Sequence, residues 1–159
     1  DARLPATERV VGIQVGDVVS YDDTDYLVKN KITYEEDGFY WYDYLLADAV
    51  TEQEIWLSVE DDDGLSIGIF REIELDGLPP VPRQVSHEGK TYRQTEHSHA
   101  TVSLEREDAD RDTSSQVEYW DFEGPGGTYM SVLRWGGNYE ASVGSEIEEY
   151  QVKIFPAEG

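Results

Sequence analysis

The chain of 159 residues lacks cysteine altogether and is poor in basic residues, with 12 Lys and Arg against 35 Asp and Glu. Without cysteine, disulfides, thiolate metal sites and cysteine nucleophiles are excluded. The formal net charge of −23 disfavours binding to nucleic acid and to anionic lipid, because both require clustered Lys and Arg. No apolar run approaches the ~18–20 residues of a membrane span. Basic proteins, polyamines and divalent cations remain as possible partners, and we expect polyamines and divalent cations to bind weakly. The alternative is that the negative charge only keeps the surface hydrated.

Aromatic residues are abundant by contrast, and 11 Tyr and 4 Trp favour β structure. The richest stretch is Phe39–Leu46, which we predict to form an antiparallel hairpin with Glu54–Val59. Alternation along the first strand places Trp41 and Asp43 on one face and Tyr44 on the other. Because both faces are largely apolar, we expect the core to be built around this hairpin.

No segment shows a long helical period, so the predicted class is mainly β. The clearest break is Asp76–Pro82, whose three prolines cannot lie in a central strand. The predicted segments are an N-terminal arm (1–14), a first β half (15–76), a Pro-rich connector (77–83), a second β half (84–156) and a tail (157–159).

The two halves repeat a similar order of strands and turns. Tyr42-Asp43-Tyr44 in the first half corresponds to Trp120-Asp121-Phe122 in the second, although the spacing between matching stretches is not constant. We therefore predict a diverged duplication, with two antiparallel β halves, as curved sheets or small barrel-like units, packed into one domain. The alternative is that meandering β proteins share this patterning without duplication.

The order of several short motifs is informative together, although no single motif is specific. They are Val15–Val19, Trp41–Leu46, Gly89–Tyr92, Tyr119–Phe122 and Glu149–Val152. In this order they resemble the bacterial domain-of-unknown-function family 4178, over nearly the whole chain from Gly12 to Phe155. The resemblance implies no established activity and supplies no catalytic residues to carry over.

The same resemblance implies a membrane context. Actinobacterial relatives often carry one membrane-spanning helix upstream, and they tend to be encoded near small membrane proteins and relatives of polyamine aminopropyltransferases. The start at Asp1 fits a soluble domain separated from such an anchor. We therefore expect a membrane-associated protein, held through a segment outside this chain and facing the cytoplasm, and otherwise a cytoplasmic one.

The local candidate for a metal site is Glu96-His97-Ser98-His99. In a strand His97 and His99 point to the same face, as do imidazole pairs that bind zinc or copper. The apolar residues that follow are expected to face inward, which places both histidines outside, where ordinary surface histidines also lie. Since no further ligand beyond Glu96 is evident, we predict no metal site and no cofactor.

Two acidic stretches partly match the pattern of a calcium loop. Asp108–Asp112 lacks the required glycine, because Thr113 stands there, and Glu60–Gly64 lacks the first ligand, because Val59 occupies that position. Both are predicted to be solvated acidic turns that bind cations weakly at most.

Asp43 and Asp121 occupy equivalent places in the two halves, each between aromatic residues. Paired carboxylates beside aromatic rings are used in glycoside hydrolysis, so the alternative function is a carboxylate-dependent hydrolase. Each Asp can equally accept hydrogen bonds from a turn or from a buried tyrosine. A concave cleft that holds both carboxylates would favour the enzyme, and a flat aromatic patch with separated carboxylates would favour binding.

The leading hypothesis is a non-enzymatic, β-rich interaction module. It would bind a protein partner, in the membrane or outside it, or a small cation, through an acidic face rimmed by the aromatic residues that are enriched at interfaces. The candidate binding residues are Tyr40, Tyr42, Trp120 and Trp135.

Overall fold

The computed structural model describes Val10, residues 12–106 and residues 115–157. Within these residues the chain forms eleven strands and one 3-10 turn, Glu149–Gln151, and none of its helices is long and apolar enough to cross a bilayer. In chain order the strands are β1 (Val18–Tyr21), β2 (Thr24–Glu36), β3 (Phe39–Asp48), β4 (Glu54–Asp61), β5 (Leu65–Ile73), β6 (Gln84–His87), β7 (Lys90–Arg106), β8 (Ser115–Glu123), β9 (Thr128–Trp135), β10 (Asn138–Ile147) and β11 (Val152–Phe155).

Eight of these strands close into an antiparallel barrel. The sheet runs β11-β1-β2-β3-β4-β5-β10-β9-β8-β7-β6, and β2 also pairs with β7. This second pairing extends from Asn30 opposite Arg106 to Glu35 opposite Thr101. It joins the two ends of the run from β2 to β7, so no barrel strand keeps a free edge along this part of its length.

The prediction of a mainly β chain is confirmed, but the predicted packing of two separate halves is replaced by one closed barrel. Strands β2–β5 and β7–β10 are consecutive parts of the same wall, and the structure gives no evidence of two duplicated halves. Alternation identifies a strand and its two faces, but it does not specify which distant strand pairs with its edge. The pairing of β2 with β7 therefore left no local signal in the sequence.

The predicted alternation of the aromatic strand is confirmed. Trp41 and Asp43 face the barrel interior, whereas Tyr44 and Leu46 face outward and are fully buried. Both outward residues belong to a cluster that also contains Val19 of β1 and Ile154 of β11. Strands β1 and β11 therefore cover the outside of this wall, which explains why β3 is apolar on both faces.

A second part of the outer wall is covered by β6 and the Pro-rich connector. Val85 of β6 is buried with Trp120 and Phe122 of β8, and Leu78 and Val81 of the connector pack against the same cluster. These outer layers bury the apolar side chains that the barrel points away from its interior. The interior itself is left free to carry other side chains.

Candidate functional site

The barrel interior contains a cavity of about 640 Å³. At one end it abuts an apolar cluster that includes Ile32, Tyr34, Tyr119, Trp56 and Leu133. All eight barrel strands contribute to its lining, so the closed barrel places residues distant in sequence around one space. A cavity of this size lies within the range of small-molecule sites in proteins.

The charge of this cavity has one sign. Among the residues that the structure describes, eleven Asp and Glu side chains and no Lys, Arg or His line it. Eight of these eleven side chains are exposed, and three, Glu36, Asp43 and Asp121, are half-buried. Like charges that face the same half-open cavity repel one another, most strongly where burial excludes water. The principal carboxyl groups discussed below are Asp43, Asp121, Glu36, Glu60, Glu96 and Glu140.

Asp43 projects into the cavity from β3, opposite Ser58 of β4. Its Oδ2 accepts a hydrogen bond from the hydroxyl of Tyr34 at 2.9 Å. Burial raises the pKa of Asp43 to about 6, although hydrogen bonds from Tyr34 and Ser58 act in the opposite direction. Asp43 is therefore a carboxyl group that titrates close to neutrality inside the barrel.

Asp121 projects into the same cavity from β8, where a bulge in β7 brings Glu96 directly opposite it. The register of β7 shifts between Gln94 and Glu96, so that Gln94 faces Phe122 and Glu96 faces Asp121. Bulges commonly re-aim a side chain at a functional site, and two like charges placed opposite each other are unfavourable. Burial, followed by the charge of Glu96, raises the pKa of Asp121 to about 7.

Tyr119 connects two carboxylates of the cavity. Its hydroxyl donates to Oε1 of Glu36 at 2.5 Å and lies 3.1 Å from Oε1 of Glu96. The hydroxyl of Ser98 also donates to Glu36, at 2.6 Å. The hydrogen bonds from Ser98 and Tyr119 lower the pKa of Glu36, so this residue stays charged.

Two further carboxyl groups of the lining have raised pKa values, in contrast to Glu36. Burial, with the charge of Asp62, raises the pKa of Glu60, and burial, with the charge of Glu72, raises the pKa of Glu140. Both side chains are exposed to solvent, whereas Asp43 and Asp121 are half-buried. Perturbed carboxyl groups thus occur at more than one depth of the cavity.

The aromatic side chains of the lining pack mainly on one another. Trp41 is stacked on Tyr34 with ring centroids 5.3 Å apart and planes 3° apart. Tyr119 meets Trp41 at 73° with centroids 5.6 Å apart, and Phe39 is tilted against Trp41 at 5.8 Å. These contacts fix the wall from which Tyr34 and Tyr119 present their hydroxyl groups.

The structure brings the two sequence-predicted carboxylates together. Asp43 and Asp121 line one cavity, and the charge of Asp43 contributes to the raised pKa of Asp121. Trp41 and Trp56, expected in the core, are half-buried on the wall of that cavity. A concave site that holds both carboxylates is the arrangement that the sequence analysis associated with the enzyme alternative.

The proposed metal ligands are not brought together. Glu96 faces the interior, whereas His97 points outward, stacks on Trp120 at 4.7 Å and lies with Nε2 2.6 Å from Glu118. His99 is exposed on the same outer side. Neighbouring residues of a strand face opposite sides of the sheet, which separates Glu96 from both histidines. Of the two acidic stretches, Asp108–Asp112 lies outside the described residues.

The candidate binding residues are distributed over different surfaces. Tyr40 is exposed, with 52% of its surface accessible, whereas Trp120 is buried in the cluster beneath β6. Tyr42 lies beside Lys31, whose Nζ is 5.3 Å from its ring, and packs against the outer cluster under β1. Trp135 packs with the apolar cluster at the end of the cavity. The structure shows no single aromatic patch made of these four residues.

Sequence reasoning missed several residues of the site. Glu60 was assigned to a solvated turn, Glu96 was considered only as a metal ligand, and Tyr34 and Tyr119 received no role. Alternation along each strand was the available signal. Tyr34, Trp41 and Glu60 are cross-strand partners on three neighbouring strands, so all three lie on the same face of the sheet. Acidic residues in phase with aromatic ones on strands indicate a polar interior face.

Comparison with known proteins places this barrel among domains without an assigned role. The profile of the family "Domain of unknown function (DUF4178)" matches residues 14–149. The chain is also similar to uncharacterized proteins of Mycobacterium tuberculosis and Mycobacterium bovis, at 28% identity over 150 residues, covering 89% of this chain and 71% of each relative. No solved structure matches the chain.

Proposed function

This chain belongs to the DUF4178 family of domains of unknown function, and we propose that its barrel is a non-enzymatic binding module for a small organic cation. The ligand occupies the acidic cavity inside the barrel. Membership confirms the resemblance found in its motifs. The family carries no assigned chemistry, so the proposal rests on the cavity itself.

The observation that carries the proposal is the charge of one concave cavity in the barrel. In the described ranges of the chain, eleven carboxyl groups and no basic side chain line this cavity of about 640 Å³. Burial and mutual repulsion raise the pKa of both Asp43 and Asp121, which means that their charged forms are poorly compensated by the protein. A cation that enters this space compensates them, and its binding energy includes relief of that repulsion.

An organic cation fits these residues better than a metal ion does. Among the described residues, no group of three or more Asp, Glu or His side chains is arranged to hold a metal. The lining is also partly aromatic and aliphatic, with Trp41, Trp56 and Phe70 among its residues, and such surface suits the carbon chain of an amine. A polyamine combines both features, since it alternates ammonium groups with short hydrocarbon segments.

Isothermal titration calorimetry of the barrel with spermidine, at moderate salt and pH 8, tests this function. We expect a saturable heat with about one ligand per chain. The variants Asp43→Asn and Asp121→Asn should each weaken binding at least tenfold. The matched control is Asp61→Asn, which removes the same charge from an exposed residue of β4 that does not line the cavity.

Generic screening by a polycation would give a different pattern. Its effect would not saturate, would disappear when sodium chloride is raised, and would respond to Asp61→Asn as much as to Asp121→Asn. That result would overturn the proposed function.

A carboxylate-dependent hydrolase is the second candidate, and one observation favours it. Asp43 and Asp121 share a cavity, and their pKa values are raised to about 6 and about 7 respectively. A carboxyl group that stays protonated near neutrality can act as a general acid beside a second carboxylate, as glycoside hydrolysis requires. The test is release of nitrophenol from a panel of aryl glycosides at pH 5–7, with Asp121→Asn as the inactive variant. If the native chain releases nitrophenol and Asp121→Asn does not, the protein is a hydrolase and the proposed binding function is wrong.

We further propose that the barrel is the soluble part of a membrane-associated bacterial protein and that it also meets a protein partner. The family resemblance supports the membrane association, and the strongly acidic surface supports a partner with a basic face. Fractionation of cells that express the full-length native protein tests the first point. Crosslinking in the membrane fraction tests the second.

A further inference from the structure

We infer that the cavity selects ammonium ions that carry N–H bonds and rejects quaternary ammonium ions of the same charge. The inference rests on the proposed function and narrows its ligand class to protonated primary and secondary amines. Two observations carry it. The carboxyl groups of the lining accept hydrogen bonds, and the ring cluster around Trp41 packs on itself and does not surround a cation.

The first observation concerns Asp121 and the residues beside it. The carboxylate of Asp43 accepts a hydrogen bond from Tyr34, whereas the largest influences on Asp121 are burial and the charge of nearby carboxylates, Glu96 first among them. Ser131 of β9 lies directly opposite Asp121, and Glu96 lies opposite it on the other side. An ionised carboxylate has about four acceptor positions and no hydrogen to donate. Besides the bond that Glu96 accepts from Tyr119, Asp121 and Glu96 thus offer acceptor positions to a ligand that donates.

The second observation concerns the rings. Quaternary ammonium ions are recognised by several aromatic faces that surround the cation. Here Trp41 is stacked on Tyr34 and is met by Tyr119 and Phe39. Tyr34 and Tyr119 are at most 5% exposed, so these rings support one another and do not form an open cage.

One face of the Phe70 ring, in β5, is also covered by packing. A Cβ placed on Gly68 would lie 2.8 Å from Cε1 of Phe70, and one on Gly144 would lie 2.6 Å from its Cγ. The ring therefore lies against both glycines: Gly144 of β10 is the direct partner of Phe70, and Gly68 precedes Phe70 by two residues in β5. The face that it turns to the strands is not accessible to a ligand.

A primary ammonium group satisfies the arrangement. It is compact and carries three N–H donors, and it can donate to Asp121 and Glu96 at once because the two lie opposite each other on adjacent strands. A charge-assisted hydrogen bond is about twice as strong as a neutral one. A trimethylammonium group has the same charge but holds its nitrogen behind methyl groups, so it makes none of these bonds.

The test compares two dications of equal chain length by calorimetry at pH 8 and moderate salt. One is butane-1,4-diamine, and the other is the same molecule with both nitrogens converted to trimethylammonium. We expect saturable binding of the diamine and at least tenfold weaker binding of the methylated compound. Asp121→Asn should reduce this ratio towards one, whereas Asp61→Asn on the outer surface should leave it unchanged.

The outcomes separate the inference from the function on which it rests. If the methylated dication binds as tightly as the diamine, or more tightly, selection by N–H donors is overturned and the proposed function stands. If neither dication nor spermidine binds, both are overturned.

Discussion

The phenolic hydroxyl of Tyr34 donates to Oδ2 of Asp43 at 2.9 Å, across the pairing of β2 with β3. Tyr34 is 1% exposed and its ring is stacked on Trp41, so the hydroxyl has little freedom to leave this partner. The bond holds the carboxylate at the cavity wall. It also lowers the pKa of Asp43 from the value that burial alone would produce.

Removing that donor should raise the pKa of Asp43 further. In Tyr34→Phe the charged carboxylate loses a hydrogen bond, so the pKa is expected to move above its value of about 6. The free energy of unfolding at pH 8 should fall by about 1–2 kcal/mol, because a partly buried acceptor loses its partner. Carboxyl-detected NMR titration and denaturant unfolding measure the two effects.

The control for this variant is Tyr40→Phe, which removes the same hydroxyl from a residue that is 52% exposed on the neighbouring strand. It should leave both quantities unchanged. An unaltered pKa of Asp43 in Tyr34→Phe would contradict the role assigned to the hydrogen bond.

The stability of the barrel should fall as pH rises from about 4 to about 7. Asp43 and Asp121 have folded-state pKa values of about 6 and about 7, above the value of about 3.9 expected in the unfolded chain. The folded state therefore binds more protons in this window, and its advantage is lost as the pH rises through the folded pKa values. Glu36, whose pKa is lowered, contributes in the opposite direction at a more acidic pH.

The measurement is denaturant unfolding at several pH values. Asp121→Asn should flatten the decrease and raise stability at pH 8 by about 1–2 kcal/mol, a figure reduced from the full pKa shift because water reaches the cavity. Asp61→Asn should leave the slope of the curve unchanged. A stability that rises through pH 5–7, with an unchanged slope in Asp121→Asn, would show that Asp121 is not buried as described.

Gly144 should tolerate no side chain. A Cβ at this position would collide with the carbonyl oxygen of Ile69 and lie 2.6 Å from Cγ of Phe70. Gly144→Ala is therefore expected to cost about 1–3 kcal/mol, as overpacking does, and to displace Phe70 from the cavity wall. Gly137→Ala is the matched control, because nothing lies within 4 Å of its Cβ. Equal stability of the two variants in denaturant titration would contradict the close approach of β5 and β10.

Much of this barrel could be predicted from residue patterning. The predicted hairpin strands Phe39–Leu46 and Glu54–Val59 lie within β3 and β4 and begin at the same residues, because β-branched and aromatic residues fill them. That Trp41 and Asp43 share one face also followed from period-two alternation. These features are local, and a single sequence contains them.

The closure of the barrel could not be predicted in this way. It depends on the pairing of β2 with β7 and on the bulge that places Glu96 opposite Asp121. Both are relations between distant segments, and neither changes the local pattern of either strand. Asp43 and Asp121 could therefore be proposed as a pair, while the remaining acidic lining, and with it the cation site, became visible only once the strands formed one ring.

Cation binding to the cavity should become tighter as pH rises from about 5.5 to about 8. At the lower pH Asp43 and Asp121 are largely protonated, since their pKa values are about 6 and about 7, and a neutral carboxyl group attracts an ammonium ion far less than a carboxylate does. The ligand stays charged throughout, because an alkylamine titrates near the ordinary value of lysine, about 10.4. Binding must therefore release protons from the cavity, and the affinity for spermidine should level off above the pKa of Asp121.

Calorimetry at pH 6.5 in two buffers of different ionisation enthalpy counts these protons directly. Asp121→Asn should release fewer protons than the native chain, whereas Asp61→Asn should release the same number. A binding enthalpy that is identical in both buffers would mean that the cation does not meet these two carboxyl groups.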